Sequence, residues 1–166
     1  MKIIKSSNGY DVQVDDEYFE FLNQFTWYVN GYGYAQSGMN KGSGSCIHLH
    51  VWVAKQAGLD TSNEVDHKDR DKLNNQLSNL RPATRSQNCA NTKLNTQGQY
   101  SQYRGVTWDK RRNRWFTQIK VNNKQRGLGS FRNEIEAAKR YDQVAFETWG
   151  EFATLNFPED YNQATN

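Results

Sequence analysis

The chain has 166 residues, 36% of them hydrophobic and 13% aromatic, which suits one ordinary domain or two small ones with aromatic-rich cores. It lacks the run of about 18 apolar residues that a membrane-spanning helix needs, and Met1-Lys2-Ile3-Ile4-Lys5 is too short an apolar stretch for a signal peptide, so a soluble chain with no membrane partner is expected. The two cysteines, Cys46 and Cys89, fit no CxxC spacing, which excludes a disulfide scaffold and, with only three histidines, a convincing zinc site; a reduced intracellular protein follows.

The net charge of +3 is unevenly spread: −1 over residues 1–90, +8 over 91–126 and −4 over 127–166. A block of +8 in 36 residues is an electrostatic footprint for a polyanion.

In chain order, residues 1–45 read as short strands and turns. Tyr10, Val12 and Val14 alternate, an acidic patch Asp15-Asp16-Glu17 follows, and Phe25, Trp27, Tyr28 and Val29 are strand formers. Gly and Ser between Ser37 and Ser45 mark a hairpin or flexible loop. Cys46–Leu49 reads as a strand end running into a short helix, His50–Ala57, stopped by Gly58. Glu64–Lys68 and Leu80–Thr84 are strand-like, the second kept short or at an edge by Pro82, with a polar loop rich in Asp, Asn and Lys between them. A helix-compatible stretch runs from Ser86 through Asn91.

Residues 92–102 are polar, nearly uncharged and without apolar periodicity, so they read as a linker. Beyond it, Arg114–Val121 alternates, with Trp115, Thr117, Ile119 and Val121 on one face and Arg114, Phe116, Gln118 and Lys120 on the other. Asn122-Asn123 is a tight turn and Gln125–Phe131 a further strand interrupted by glycines. Asn133 with Glu136 makes a capping-box-like helix start; Ile135, Ala138, Ala145 and Trp149 form its apolar stripe, and Gly150 ends it. The second half is therefore three strands and one amphipathic helix, with Trp108, Trp115 and Phe131 assigned to its core.

Asp66-His67 places a hard oxygen ligand beside an imidazole at a strand end, and a break or bulge after Asp66 is expected if both are to reach one phosphate. The stretch Val65-Asp66-His67-Lys68-Asp69-Arg70-Asp71-Lys72-Leu73-Asn74-Asn75-Gln76-Leu77-Ser78-Asn79-Leu80-Arg81, followed by Thr84, Ser86-Gln87-Asn88 and Asn91, closely resembles the HNH (ββα-metal) nucleases, in particular the phage and intron-encoded homing endonucleases. His48-Leu49-His50 resembles the segment that precedes the motif in that group. The resemblance implies that Asp66 and Asn88 hold one divalent cation, Mg²⁺ or Mn²⁺, with no zinc expected. It implies further that His67 is the general base and that Asn79 ties the loop that orients it. His50 either touches that site or is a buried core residue, and Asn91 is a helix-capping or structural residue.

The segment Tyr103-Arg104-Gly105-Val106-Thr107-Trp108, Arg114-Trp115, Ile119-Lys120, Gly127-Leu128-Gly129-Ser130-Phe131, Glu134-Ile135-Glu136-Ala137-Ala138, Tyr141-Asp142 and Ala153-Thr154-Leu155-Asn156-Phe157-Pro158 resembles the Apetala/ethylene-response-factor (AP2) DNA-binding domain. That resemblance implies a three-stranded antiparallel sheet in the major groove of double-stranded DNA, backed by one helix. Arg104, Arg114, Gln118 and Lys120 fall at its DNA-meeting positions, with Arg112, Lys124 and Arg126 as further positive charges nearby. Thr107 and Asp109 stand where basic residues are usual, and Gly127 where a DNA-facing aromatic is common, so specificity does not carry over.

The expected fold is α+β: a ββα-metal nuclease domain with flanking strands over 1–91, a linker over 92–102, an AP2-like domain over 103–158 and a tail over 159–166. The expected function is a site-recognising DNA endonuclease or nickase of homing type, a monomer or homodimer, acting in the cytoplasm of a bacterial host and encoded by a phage or mobile element. The alternative is a DNA-binding regulator with an inactive nuclease half. A flexible linker of eleven residues would set cutting roughly 17–20 Å from the recognition sequence.

Overall fold

The computed structural model describes residues 1–38, 46–93 and 100–161. Most of the Gly/Ser stretch after Ser37, the middle of the 92–102 segment and the end of the 159–166 tail lie outside the described residues. The chain divides into two compact units, Met1–Arg85 and Ser86–Asn166.

The first unit opens with an antiparallel hairpin of β1 (Lys2–Lys5) and β2 (Asp11–Val14). Its alternation buries Ile4, Val12 and Val14. The acidic patch after it is no loop: it starts a helix, α1 (Asp16–Leu22), where carboxylates meet the positive end of the helix dipole. Asp15 stands in the cap position, yet its carboxylate reaches across the unit, accepting from the Leu77 backbone N at 2.6 Å and Gln76 Nε2 at 3.3 Å. The aromatic run Phe25–Val29 yields only a short strand, because Trp27 turns inward and its Nε1 donates to the Leu22 carbonyl at 2.9 Å.

That short strand, β3 (Tyr28–Val29), pairs antiparallel with β4 (Ala35–Ser37), which pairs with β5 (Ile47–His48). Helix α2 (Leu49–Gln56) follows at once and packs Leu49, Val53 and Ala54 into the same core as Trp27, Leu22 and Val65. Two last strands, β6 (Glu64–His67) and β7 (Leu80–Ala83), form an antiparallel ribbon.

The second unit begins with α3 (Arg85–Ala90), all but its first residue. It continues with β8 (Val106–Asp109), β9 (Arg114–Val121) and β10 (Lys124–Phe131), in sheet order β10-β9-β8 and antiparallel throughout. Asn122 and Asn123 make the β9–β10 turn with φ of 48° and 63°, the left-handed conformation that Asn tolerates. The glycines of β10 mark a register shift between Gly127 and Gly129.

Helix α4 (Glu134–Trp149) is capped by Asn133, whose side chain accepts from the Ile135 and Glu136 backbone N–H groups at 2.7 and 3.3 Å. Ala137, Ala138, Tyr141, Val144, Ala145 and Trp149 are buried. Ile135, expected in that stripe, is 46% exposed, since the first turn of the helix overhangs its core. Trp115 and Phe131 pack on Val106, Ala137 and Ala138, and Trp108 meets Trp115 edge-on with ring centroids 4.9 Å apart. Asp142, fully buried, accepts from Asn156 N, Asn156 Nδ2 and Phe157 N at 2.8–2.9 Å, which straps the following segment along the helix. Gly105, at φ +75°, cannot be replaced cheaply: a Cβ there would lie 2.1 Å from the Tyr141 ring.

Candidate functional site

Asp66 and His67 are consecutive residues of β6, opposite Arg81 and Leu80 of β7 in an unbroken register. No break separates Asp66 from His67: they are the last two residues of β6. The chain turns only after His67, where Arg70 N donates to the His67 carbonyl at 2.9 Å and Arg70 takes φ 67°. Both side chains are buried, Asp66 at 3% and His67 at 4% exposure. Asp66 is gripped by its cross-strand neighbour: Arg81 Nε and Nη2 each lie 2.9 Å from Asp66 Oδ2.

The loop from Lys68 to Ser78 is built by side chains bonding to backbone, which is why it is so rich in Asp and Asn. Asn79 ties its ends together. Its Oδ1 accepts from Asp69 N at 3.0 Å, its Nδ2 donates to Asp69 Oδ1 at 2.9 Å and the Asn74 carbonyl at 2.8 Å, and its own carbonyl accepts from Lys68 N at 2.9 Å. The loop is also stitched to β2, through Gln13 N to the Leu73 carbonyl and Asn75 N to the Gln13 carbonyl at 2.8 and 2.9 Å.

Asn75 is the residue whose side chain reaches the imidazole. It is fully buried; its Oδ1 lies 3.4 Å from His67 Nε2, and its Nδ2 donates to the Lys72 carbonyl at 3.3 Å. An amide oxygen only accepts, so this contact is a hydrogen bond in the tautomer that carries the proton on Nε2. Burial pushes the His67 pKa below its ordinary value, and the Asn75 contact partly offsets this, so the ring is neutral at physiological pH.

His67 sits in an aromatic cluster. His50 of α2 is 7% exposed with its ring centroid 5.0 Å from that of His67, and the Tyr34 ring lies 5.1 Å from His50 and 6.1 Å from His67. Burial pushes the His50 pKa down to about 3, with the neighbouring His67, His48 and Lys72 adding to the shift. His50 is thus a buried residue packed against the candidate base, joining the two alternatives open from the sequence. Lys72 Nζ stands 4.3 Å over the Tyr34 ring.

Asn88 lies on α3, in the second unit, while Asp66, His67 and Asn79 lie in the first. Helix α3 packs there through Ala90, buried with Ile119, Tyr141, Val144, Ala145 and Trp149. Asp66 and Asn88 offer one carboxylate and one amide oxygen, and the described residues hold no group of three His, Cys, Asp or Glu placed to close a shell around a metal. Hard oxygen donors in small number fit Mg²⁺ or Mn²⁺, which keep water and phosphate oxygens in their coordination shell.

In the second unit, Arg114, Phe116, Gln118 and Lys120 share the sheet face away from α4, since the intervening Thr117 and Ile119 are buried. Gln125 is opposite Lys120 in register and so joins that face. Lys124 and Arg126, opposite Val121 and Ile119, leave from the helix side of the sheet instead. Arg112 is exposed in the β8–β9 turn, with Nη1 3.5 Å from Asp109. That turn explains Asp109 at a position usually basic: its Oδ1 accepts from Arg111 N and Arg112 N at 3.0 and 3.2 Å. A Cβ on Gly127 would lie 3.0 Å from the Phe116 ring, which fills the place where an aromatic is common on β10. Arg104 points elsewhere. Its Nη1 donates to the Ala90 carbonyl at 3.5 Å, and its Nη2 to the Thr92 carbonyl and, at 3.0 Å, to Thr92 Oγ1.

Asn75, Arg81 and Asp15 carry no mark in the sequence beyond polarity; a run of Asn and Asp reads as turn chemistry whichever member faces inward. Gln125 was discoverable only from a correct hairpin register.

A family model described as HNH endonuclease matches residues 46–90, and one described as AP2 domain matches residues 101–151. The chain is 31% identical over 109 residues to Protein 3.8 of Escherichia phage T7, covering 64% of this chain and 86% of that one. It is 30% identical over 140 residues to the uncharacterized HNH endonuclease L560 of Acanthamoeba polyphaga mimivirus, covering 81% of this chain and 68% of that one. No helix among the described residues is long and apolar enough to cross a membrane.

Proposed function

The chain belongs to the HNH endonuclease family and pairs that domain with an AP2 domain, and we propose from this that it is a site-recognising DNA endonuclease with His67 as its general base. The observation that carries the reading is the state of His67. It is buried at the end of β6 beside Asn75, with Nε2 3.4 Å from Asn75 Oδ1, and burial lowers its pKa, which favours the neutral imidazole that a general base needs.

In the proposed reaction, Nδ1 of His67 takes a proton from a water molecule. The water oxygen bonds to phosphorus, the bond from phosphorus to the 3′ oxygen breaks, and that oxygen takes a proton from a solvent water, so that a 5′-phosphate and a 3′-hydroxyl result. Asp66, aligned by Arg81, and Asn88 would hold one divalent cation. When bound, such an ion neutralises charge on the phosphorane and on the leaving 3′ oxygen. Asn79 and Asn75 are positioning residues: the first closes the loop and the second sets the tautomer of the base.

The sheet face bearing Arg114, Gln118, Lys120 and Gln125 supplies the address in the major groove. A bidentate Arg–guanine or Gln–adenine pair there gives about 1–3 kcal/mol of discrimination. One active site cuts one strand, so a monomer nicks and a homodimer would cut both. The phage T7 relative supports a phage-encoded protein acting in a host cell.

Relaxation of supercoiled plasmid with Mg²⁺, Mn²⁺ or EDTA, followed by mapping of the ends, tests the reading. Metal-dependent nicking that disappears in His67→Ala supports it. DNA binding with no cutting under any metal would instead support a regulator with an inactive nuclease half.

A further inference from the structure

Beside the sheet face bearing Gln118, Lys120 and Gln125 lies a cleft of about 480 Å³, contained wholly within the second unit. Tyr100, Gly105, Thr107, Gln118, Lys120 and Gln125 are among the residues that line it. We propose that this cleft binds one unpaired DNA base, stacked on Tyr100 and met edge-on by the backbone of Lys120. The proposal rests on the reading of that sheet face as the one that meets DNA.

The cleft exists because β8 is shorter than β9. Pairing of the two stops at Val106, opposite Thr117, and one further bond joins Gln118 N to the Gly105 carbonyl at 2.9 Å. Gly105, at φ +75°, carries the chain off the sheet there. Alternate residues of a strand direct their backbone groups to the same edge. Lys120, two residues past Gln118, therefore sends its N–H and C=O toward the side that β8 leaves open. On the other side of β9, the two-residue Asn122-Asn123 turn makes Val121 and Lys124 the bonded pair, so Lys120 and Gln125 face each other without exchanging ladder bonds. Among the described residues, no backbone hydrogen bond closes this edge beyond Gln118. An N–H and a C=O side by side need partners, and the Watson–Crick edge of a base offers an acceptor and a donor at the same spacing.

Tyr100 supplies the aromatic wall. It is 66% exposed, and Lys110 Nζ stands 5.0 Å from its ring centroid. An exposed ring among positive side chains is the combination by which proteins hold bases that have left the stack. A base inside a duplex has both faces covered by its neighbours and its Watson–Crick edge in use, so it serves neither Tyr100 nor the Lys120 backbone. Tyr100 stands just before the residues matched by the AP2 model, 101–151, and so adds to what that domain brings.

The test measures binding of the full chain, in EDTA so that no strand is cut, to three duplexes of one sequence. The first is fully paired, the second carries one extra unpaired adenine, and the third has an abasic nucleotide in place of that adenine. The parent is expected to bind the adenine duplex about 5- to 150-fold more tightly than the abasic one, the range for one stacked base. Tyr100→Ala should abolish that preference while leaving affinity for the fully paired duplex unchanged, and Tyr100→Phe should keep it. Dimethyl sulfate methylates N1 of an unpaired adenine, and bound parent should protect that atom. Equal affinity for the adenine and abasic duplexes, a preference that survives Tyr100→Ala, or an N1 left open to methylation overturns the proposal. A parent that binds none of the three refutes the DNA-binding reading itself, and is recognised before any variant is compared.

Discussion

Asn75 Oδ1 stands 3.4 Å from His67 Nε2, and the other end of the same amide is spoken for by the Lys72 carbonyl. With its NH₂ group donating to the Lys72 carbonyl, the amide turns its oxygen to the imidazole and favours the tautomer with the proton on Nε2. Replacing Asn75 by Leu should lower the single-turnover nicking rate about 10- to 100-fold, the usual cost of losing such a supporting partner. Asn75→Asp, which keeps an acceptor of the same shape, should retain more activity than Asn75→Leu. Equal activity in the two variants would remove Asn75 from the mechanism.

The Asp66–Arg81 pair offers a stability test. The side chains are 4% and 10% exposed and lie on directly opposed residues of β6 and β7. Removing one member takes from a buried charge its cross-strand counter-ion, so Arg81→Met should cost about 3–5 kcal/mol in urea unfolding. The double change Asp66→Leu with Arg81→Met should recover most of that loss while abolishing nicking. If Arg81→Met alone were neutral, the pair would not organise the ribbon end.

Acid should destabilise the first unit through its histidines. Burial pushes the His50 pKa down to about 3 in the fold, against an ordinary value of 6.5. Between these values the unfolded chain binds the proton and the folded one does not, so stability is full above about pH 6.5 and falls as pH drops toward 3. The loss from His50 alone is roughly 3–5 kcal/mol over that range. His67, whose pKa is also lowered by burial, adds in the same direction. Urea titrations at pH 7.5, 6 and 4.5 should show a shallower pH dependence for His50→Leu than for the parent. Parallel curves would mean that His50 is not held neutral.

The two faces of the C-terminal sheet should separate by salt dependence. Lys120→Ala removes a charge on the face turned away from α4, and should lower DNA affinity and reduce the slope of log affinity against log salt by about 0.9. Arg126→Ala, opposite Ile119 on the helix side, should change the slope less. Gln125→Ala should alter sequence preference more than the slope. Identical slopes for Lys120→Ala and the parent would place the DNA elsewhere.

The sequence by itself determined the local elements wherever one residue pattern had one physical outcome. The alternation of Arg114–Val121 gave β9 its bounds, Asn122-Asn123 its turn and Asn133 its helix cap, because period, left-handed backbone and side-chain capping are local properties. Asp66, His67, Asn79 and Asn88 were legible as a motif because their spacing is carried by the chain alone. What the chain could not state was which loop amide faces inward, which strand residues oppose one another, and on which body a short helix rests. Asn74 and Asn75 are alike in sequence; only the fold buries one of them beside His67. Arg126 reads as one more positive charge until the hairpin register sets it opposite Ile119. Helix α3 continues the nuclease motif in sequence, yet it rests on Trp149 and Arg104, residues about 60 and 15 positions further along, because a six-residue helix takes its stability from whatever apolar surface and donors the tertiary structure brings to it.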